Sequence, residues 1–539
     1  MTGPNLAETV VDYLISQNVR CIFGVLAHTL FPFGDAIAKR PELRFINAQH
    51  EGGAGNMALG YARATKQPAV CLVSAGGGAT NIVTAVAQAY KEAVPLFVIS
   101  SDIGTASFAK GHWASWHGME HVRLFQPITK QSARLGRIEE IGSVLDSLFR
   151  QTTRGRQGPV FFCIPEDLQE THLPEPISFA ASANPAAPAV DGRTVNAAVE
   201  LLLSARAPVL LAGTGVDWAQ AQDEVKDLAE LLALPVASSY TAKGVFPEKH
   251  PLALGCLGNG GRMYARPFFQ EADLVLAVGT SFSEGTTLGF GHKVIPEQAR
   301  IIHIDTDPEQ FGRIYPAELA IQADAKSALR AIIDGVKARQ PMASSDRTPA
   351  IQKAKAAWRD EVDAQIDKSN LTYASVLRAL DELLTGNEIL TTSGMTGDTL
   401  RNIDSKVPII HAGEFRAIGT ALATAFGVKI GRPDARVICV TGDGSFMMEQ
   451  QELATARYHN IPVMVLILHN NAYGGMRRDQ QNNYGGRIIG TELFIPDLAK
   501  LADLYGAKGY SVTKKEQLTP VFKEALAKDA FVIVDVKMD

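Results

Sequence analysis

Asp443 and Asn470 stand 27 positions apart, at the two ends of a segment whose text is GDGSFMMEQQELATARYHNIPVMVLILHNNAYGG, residues 442–475. Both side chains offer oxygen to a hard cation. A cation that also keeps phosphate oxygens in its shell is best matched by magnesium. The residues between them explain how they would meet. RVICV, before the turn, is a β-branched run and reads as a buried strand. Gly442, Asp443 and Gly444 make a tight turn. FMMEQQELATARYH has helical apolar spacing, and Ser445 occupies the expected N-cap. IPVMVLIL reads as a second parallel strand, ending at His469 and Asn470. A strand–helix–strand unit brings both strand C-termini to the sheet edge where ligands bind, and a helix N-terminus there favours phosphate.

A second candidate lies far upstream, in FINAQHEGGAGNMALGYARAT, residues 45–65. Glu51 opens a helix rich in Gly and Ala. The helix dipole stabilises an ionised carboxylate at that position, whereas burial in an apolar cleft would tune it upward for proton transfer.

Together these two segments resemble the cofactor-binding motifs of thiamine-diphosphate enzymes. The resemblance implies that Asp443, Asn470 and the carbonyl of Ala472 hold Mg2+. It adds Thr396, Gly442, Gly444, Ser445 and Tyr473 to the cofactor-binding set. It implies that Glu51 hydrogen-bonds the aminopyrimidine and promotes deprotonation of the thiazolium carbon. In GEFRAIGTALATAFG, residues 413–427, Ile418 aligns as the wedge that bends the cofactor, and the Arg416 carbonyl as its amino-group acceptor. From the residues alone, Ile418 reads equally well as a core residue on an Ala-rich helix. SAGGGATN, residues 74–81, is similar to a tight family loop, with Gly77 in place of Pro.

The chain has 539 residues, 46% of them hydrophobic and 20% charged, which suits about three soluble domains at ~150 residues each. The net charge of −5 and the lack of basic clusters argue against nucleic acid. No apolar run approaches the length of a membrane span. Five scattered cysteines without a CxxC read as buried reduced thiols in a cytoplasmic protein.

Strand-like runs alternate with helical patterns throughout, so the expected fold is three consecutive doubly wound parallel α/β units. Their expected bounds are 1–173, 190–340 and 351–539. They are separated by PEPISFAASANPAAPAV and a polar stretch at 338–350. The order resembles the acetolactate synthase, pyruvate oxidase and 2-oxo-acid decarboxylase superfamily, with pyrimidine-binding, central and pyrophosphate-binding domains. That resemblance implies a homodimer or homotetramer in which Glu51 and Asp443 of one site come from different subunits.

GCLGNGG, IIHIDTDPEQFG and QELATARYHNIPV are most similar to acetolactate synthase catalytic subunits. Four departures qualify the transfer. In GTSFSEGTT, residues 279–287, Ser281 and Gly285 replace arginines, one of which meets a flavin in that family. The Gly-rich turn GTGVDWAQ, residues 213–220, keeps FAD as an option, but a vestigial nucleotide fold is preferred. His28, in GVLAHT, stands where those synthases have Gly; benzaldehyde lyase and cyclohexane-1,2-dione hydrolase have His in this loop. Trp116 and His117 replace Phe and a catalytic Gln; His112 and His121 receive no role. Met476 takes the place of a decarboxylase Glu.

The pocket is therefore expected to contain His28, Trp116, His117, Met476 and Arg477, with Arg477 binding a carboxylate or phosphate and Arg478 solvated. The expected function is a thiamine-diphosphate- and Mg-dependent lyase or carboligase. It would act on a 2-oxo acid or 2-hydroxy ketone through an enamine, with Glu51, His28 and His117 handling protons. The alternatives are benzaldehyde-lyase-like or cyclic-diketone-hydrolase-like cleavage through His28, and a catalytically silent binding or regulatory subunit.

Overall fold

The computed structural model describes the chain except residues 1–2, 174, 176, 178, 180–189, 340–345, 367–370, 395, 405–406 and 539. Most of the expected linker at 174–190, and part of the polar stretch at 338–350, lie outside the described residues.

Three six-stranded sheets follow one another along the chain. The first contains β1 (Cys21–Gly24), β2 (Arg44–Asn47), β3 (Ala69–Val73), β4 (Leu96–Asp102), β5 (Gln131–Arg134) and β6 (Val160–Pro165), in the order β2-β1-β3-β4-β6-β5. The second contains β7 (Pro208–Ala212), β8 (Val236–Ser238), β9 (Ala253–Cys256), β10 (Leu274–Val278), β11 (Arg300–Asp305) and β12 (Leu319–Gln322), in the order β12-β11-β10-β7-β8-β9. The third contains β13 (Glu388–Ser393), β14 (Ile409–His411), β15 (Arg436–Gly442), β16 (Met464–His469), β17 (Lys508–Val512) and β18 (Val532–Lys537), in the order β14-β13-β15-β16-β18-β17. The pairings around the site, β3 with β4 and β15 with β16, are parallel. The fold is α/β, as the alternation of apolar runs and helical patterns requires.

The first and third sheets have the same topology: second, first, third, fourth, sixth and fifth strand of each unit in spatial order. Their inner faces share one core. The helix Glu51–Thr65 packs lengthwise on the helix Ala421–Gly431, and buried residues of both units, such as Met57, Ala58, Ala423 and Phe426, form one cluster. Small residues allow that approach. A Cβ on Gly60 would overlap the Thr424 carbonyl, and one on Gly427 would overlap the Met57 carbonyl. The Gly- and Ala-rich text of the Glu51 helix is therefore a packing requirement.

The single helix expected over FMMEQQELATARYH is broken. The helix Asp443–Met447 is followed by a 3-10 turn at Gln450–Glu452 and the helix Leu453–His459. Ser445 is not the N-cap; Gly442 is. The break turns two carboxylates inward. Glu449 accepts N–H bonds from Leu422 and Ala423, at the start of the helix Ala421–Gly431, and from Asn56 of the first unit. Among the described residues no helix is long and apolar enough to cross a membrane.

Candidate active site

β15 and β16 are adjacent, and their C-terminal ends carry Asp443 and Asn470. Asp443 is buried. Its Oδ1 accepts the Gly444 N–H at 2.8 Å, and its Oδ2 accepts the N–H groups of Asn470 and Asn471 at 3.0 and 2.6 Å. Burial pushes its carboxyl above the usual range, against those N–H bonds. Asn470 Oδ1 accepts the Ala472 N–H at 3.1 Å, and its Nδ2 donates to the Tyr373 hydroxyl at 2.9 Å. Asp443, Asn470 and Ala472 thus form one hydrogen-bonded group whose unused lone pairs are all oxygen, the donor set of a hard divalent cation.

Tyr373 was not legible in the sequence, because nothing local marks a tyrosine about a hundred residues upstream. The helix after Gly442 has only five residues, so the local N–H groups matter more than a macrodipole.

Around this group the chain leaves little slack. A Cβ on Gly444 would meet the Tyr473 ring at 2.7 Å. Ser445 Oγ lies 2.9 Å from Ser393 Oγ and accepts the Gly419 N–H at 2.8 Å, tying the loop at 412–420 to the turn. Arg416, in that loop, has φ 59°, a conformation uncommon for a residue other than glycine. Ile418 is 44% exposed, on this loop and not on a helix, so the core reading fails for it. Thr396 begins the helix Thr396–Asn402; its side chain lies outside the described residues.

In the first unit, Glu51 is the first residue of its helix, and His50 caps it, its Nδ1 accepting the Gly52 N–H at 3.0 Å. Asn81 Nδ2 donates to Glu51 Oε2 at 2.9 Å. The sequence signal for Asn81 was the loop SAGGGATN, where no role had been given to it. The Gln49 and His50 N–H groups donate to the Glu452 carboxylate of the third unit at 3.2 and 3.1 Å.

His28 opens a 3-10 turn beyond β1, and its ring lies 5.5 Å from that of His117, centroid to centroid. His117 has φ 61°. Strain of this kind persists only where the surroundings enforce it, and it concentrates at functional sites. Trp116 beside it is 89% exposed in the single chain. Met476 is 63% exposed on the helix Gly474–Asn483, where Arg477 Nη2 lies 3.9 Å from Glu492.

A separate cavity of about 180 Å³ lies at the β7/β10 edge of the central sheet, where the strand order reverses. Thr214, Gly215, Ser281 and Asp305 line it, with Arg63 from the first unit and Glu414 from the third. Gly213 and Gly215 are packed directly against Gly279, and the Gly215 N–H donates to the Gly279 carbonyl at 3.0 Å. That amide is not free for a phosphate. With that amide spent inside the turn, the residues favour a vestigial nucleotide fold over a flavin site.

Comparison with known proteins agrees with the geometry. Residues 4–123 match the N-terminal TPP binding domain of thiamine pyrophosphate enzymes, 195–332 their central domain and 392–536 their C-terminal TPP binding domain. The chain is 32% identical to a probable acetolactate synthase large subunit of Methanocaldococcus jannaschii, over 99% of this chain and 92% of the relative. It is 31% identical to the acetolactate synthase isozyme 3 large subunit of Escherichia coli, over 99% of this chain and 94% of the relative. Isozyme 1 of the same organism is 33% identical, over 89% and 84%. Two motifs on matching sheets, three matching domains and full-length relatives converge: the chain belongs to the thiamine pyrophosphate-dependent enzymes, in their acetolactate synthase-like branch.

Proposed function

We propose that this protein is a thiamine-diphosphate- and Mg2+-dependent carboligase or lyase acting on a 2-oxo acid such as pyruvate, or on a 2-hydroxy ketone. The observation that carries the reading is the Asp443–Asn470–Ala472 group at the ends of β15 and β16. Residues 1–173 would bind the aminopyrimidine and 351–539 the diphosphate, with 190–340 between them. Asp443, Asn470 and the Ala472 carbonyl would hold the metal, and Gly442, Gly444, Ser445 and Tyr473 the diphosphate. Thr396, Arg416 and Ile418 would flank the rings. When bound, thiamine diphosphate supplies the nucleophilic carbon that adds to a carbonyl and accepts the electrons of the broken C–C bond.

The protein's part is positioning and proton transfer. Glu51 holds and moves a proton at its carboxyl, steadied by Asn81. His28 and His117 exchange protons with substrate oxygens, a role suited to imidazole. Arg477 offers a cation to a substrate carboxylate, and Trp116 and Met476 wall the pocket. The exposure of Ile418, Trp116 and Met476 in one chain supports a site completed by a second copy, in a homodimer or homotetramer. Five free buried cysteines support a reducing, cytoplasmic setting. The reading includes no flavin.

The test is product analysis by NMR after incubation with thiamine diphosphate, Mg2+ and pyruvate, beside a Glu51→Gln control. Acetolactate or acetoin that disappears in the control supports carboligation. Untouched pyruvate with the cofactor bound favours the second reading, cleavage of a 2-hydroxy ketone or cyclic diketone, for which the His28–His117 pair speaks.

A further inference from the structure

The C-terminal end of β4 holds a buried polar group to which the site chemistry above gives no part. Asp102 and His121 are both almost wholly buried. His121 Nδ1 lies 3.1 Å from Asp102 Oδ1, and His121 Nε2 accepts the Gly76 N–H at 2.8 Å. An imidazole that accepts through Nε2 must carry its proton on Nδ1, which lies beside the carboxylate in a close contact without the alignment of a hydrogen bond. Asp102 is fixed in turn. Its Oδ1 accepts the Ile103 N–H at 2.9 Å and its Oδ2 accepts Arg134 Nε at 2.6 Å, with the Cys163 thiol 3.7 Å away. Burial opposes its ionisation, but the nearby His121 imidazole and the Arg134 bond hold its carboxyl below the usual range.

Gly76 is where this chain of bonds reaches the site. It has φ 64°, and a Cβ there would lie 2.9 Å from the His117 Cα, so His117 rests directly on it. The short helix Gly77–Asn81 starts at the next residue, and its last residue donates to Glu51. The neighbouring Ser101 Oγ accepts the Ala75 N–H at 2.8 Å and lies 2.8 Å from Thr29 Oγ1, next to His28. The shared topology supplies an independent parallel. β3 and β4 correspond to β15 and β16, and in both units a carboxylate ties the loop after one middle strand to the end of the other. Asp443 does so directly, Asp102 through an imidazole.

We infer that Asp102 and His121 are a positioning pair: the carboxylate lies against the protonated nitrogen of the imidazole, the imidazole holds Gly76, and Gly76 sets both His117 and the helix that supports Glu51. The effect on the reaction rests on the function proposed above; the hold on Gly76 does not.

The test compares His121→Leu, His121→Asn and His121→Gln in the full-length protein with thiamine diphosphate and Mg2+. A glutamine amide can donate to Asp102 and accept from Gly76. Asparagine is too short to span both, and leucine does neither. Hydrogen-exchange mass spectrometry reads the segment 74–81, and NMR reads deuterium exchange at C2 of the bound cofactor. Leucine and asparagine are expected to lose protection of the segment and to slow C2 exchange by about tenfold or more, the scale of a misplaced catalytic group. Glutamine is expected to keep both within about twofold of wild type, well inside that misplacement scale. A Glu51→Gln control should slow C2 exchange and leave the segment protected. Leucine or asparagine variants with wild-type protection overturn the inference, as does a glutamine variant that falls as far as they do. If leucine does not fold, asparagine and glutamine decide it. A wild type without accelerated C2 exchange would sink the proposed function, and the protection data would still judge the pair.

Discussion

The Glu452 carboxylate accepts the backbone N–H of His50 at 3.1 Å across 402 positions of sequence. The same side chain takes the Gln49 N–H and the Thr455 hydroxyl, so the third unit holds the peptide that delivers Glu51. Glu452→Ala would leave two backbone donors without their acceptor. A loss of about 1–3 kcal/mol is expected in urea unfolding, and a smaller one for Glu452→Gln, which keeps one acceptor oxygen.

Asp443→Ala should abolish Mg2+-dependent binding of thiamine diphosphate, measured by calorimetry with and without EDTA. Three N–H groups also lose their acceptor, so stability should fall by about 1–3 kcal/mol even without cofactor. Asn470→Ala should weaken metal-dependent binding with less effect on the apoprotein, since its Oδ1 accepts only the Ala472 N–H.

His28→Ala and His117→Ala are expected to lower turnover by about 10²–10⁴-fold if each acts in proton transfer. Cofactor affinity should stay near wild type, because neither ring meets the Asp443 group. Parallel loss of affinity and turnover would assign them to binding instead.

Burial pushes the Glu449 and Glu92 carboxyls up to about 8 from an ordinary 4.5. Between those values the folded protein retains protons that the unfolded chain has released. Stability is then full below the window and falls as pH rises through it. The urea midpoint should drop between pH 5 and pH 8, by an amount equivalent to about 1–4 kcal/mol per group. Glu449→Gln should flatten its share of that drop.

Gly427→Ala places a methyl group against the Met57 carbonyl between two packed helices. Overpacking there should cost about 1–3 kcal/mol. Ala421→Gly, at the first residue of the same helix, should not separate the units.

The continuous apolar runs were legible because central strands of parallel sheets are buried on both faces. β3, β10 and β16 are buried along their whole length. The strands the sequence did not announce lie at sheet edges: β2, β5, β12 and β17 have mixed or largely exposed patterns. An edge strand covers the core with few side chains, so it leaves no long apolar run. A fifth, β9, is also an edge strand; it is fully buried but only four residues long.

Local text placed Asp443 and Asn470 at adjoining strand ends, because one strand–helix–strand unit carries both. It failed at Glu449 and Glu452, whose inward turn depends on the first unit. It was silent on Tyr373, Asp102 and His121, which reach their partners only through the fold, and it marked Asn81 only as the end of a tight loop. Ile418 was ambiguous because an apolar residue beside an Ala-rich helix reads as core until the loop at 412–420 is seen.

The most direct test of the central claim is the rate of deuterium exchange at C2 of thiamine diphosphate bound to this protein, which needs no knowledge of the substrate. Exchange far faster than in free cofactor, and slowed at least about a hundredfold by Glu51→Gln, is the predicted result. Exchange at the rate of free cofactor, or unchanged by Glu51→Gln, would contradict the account.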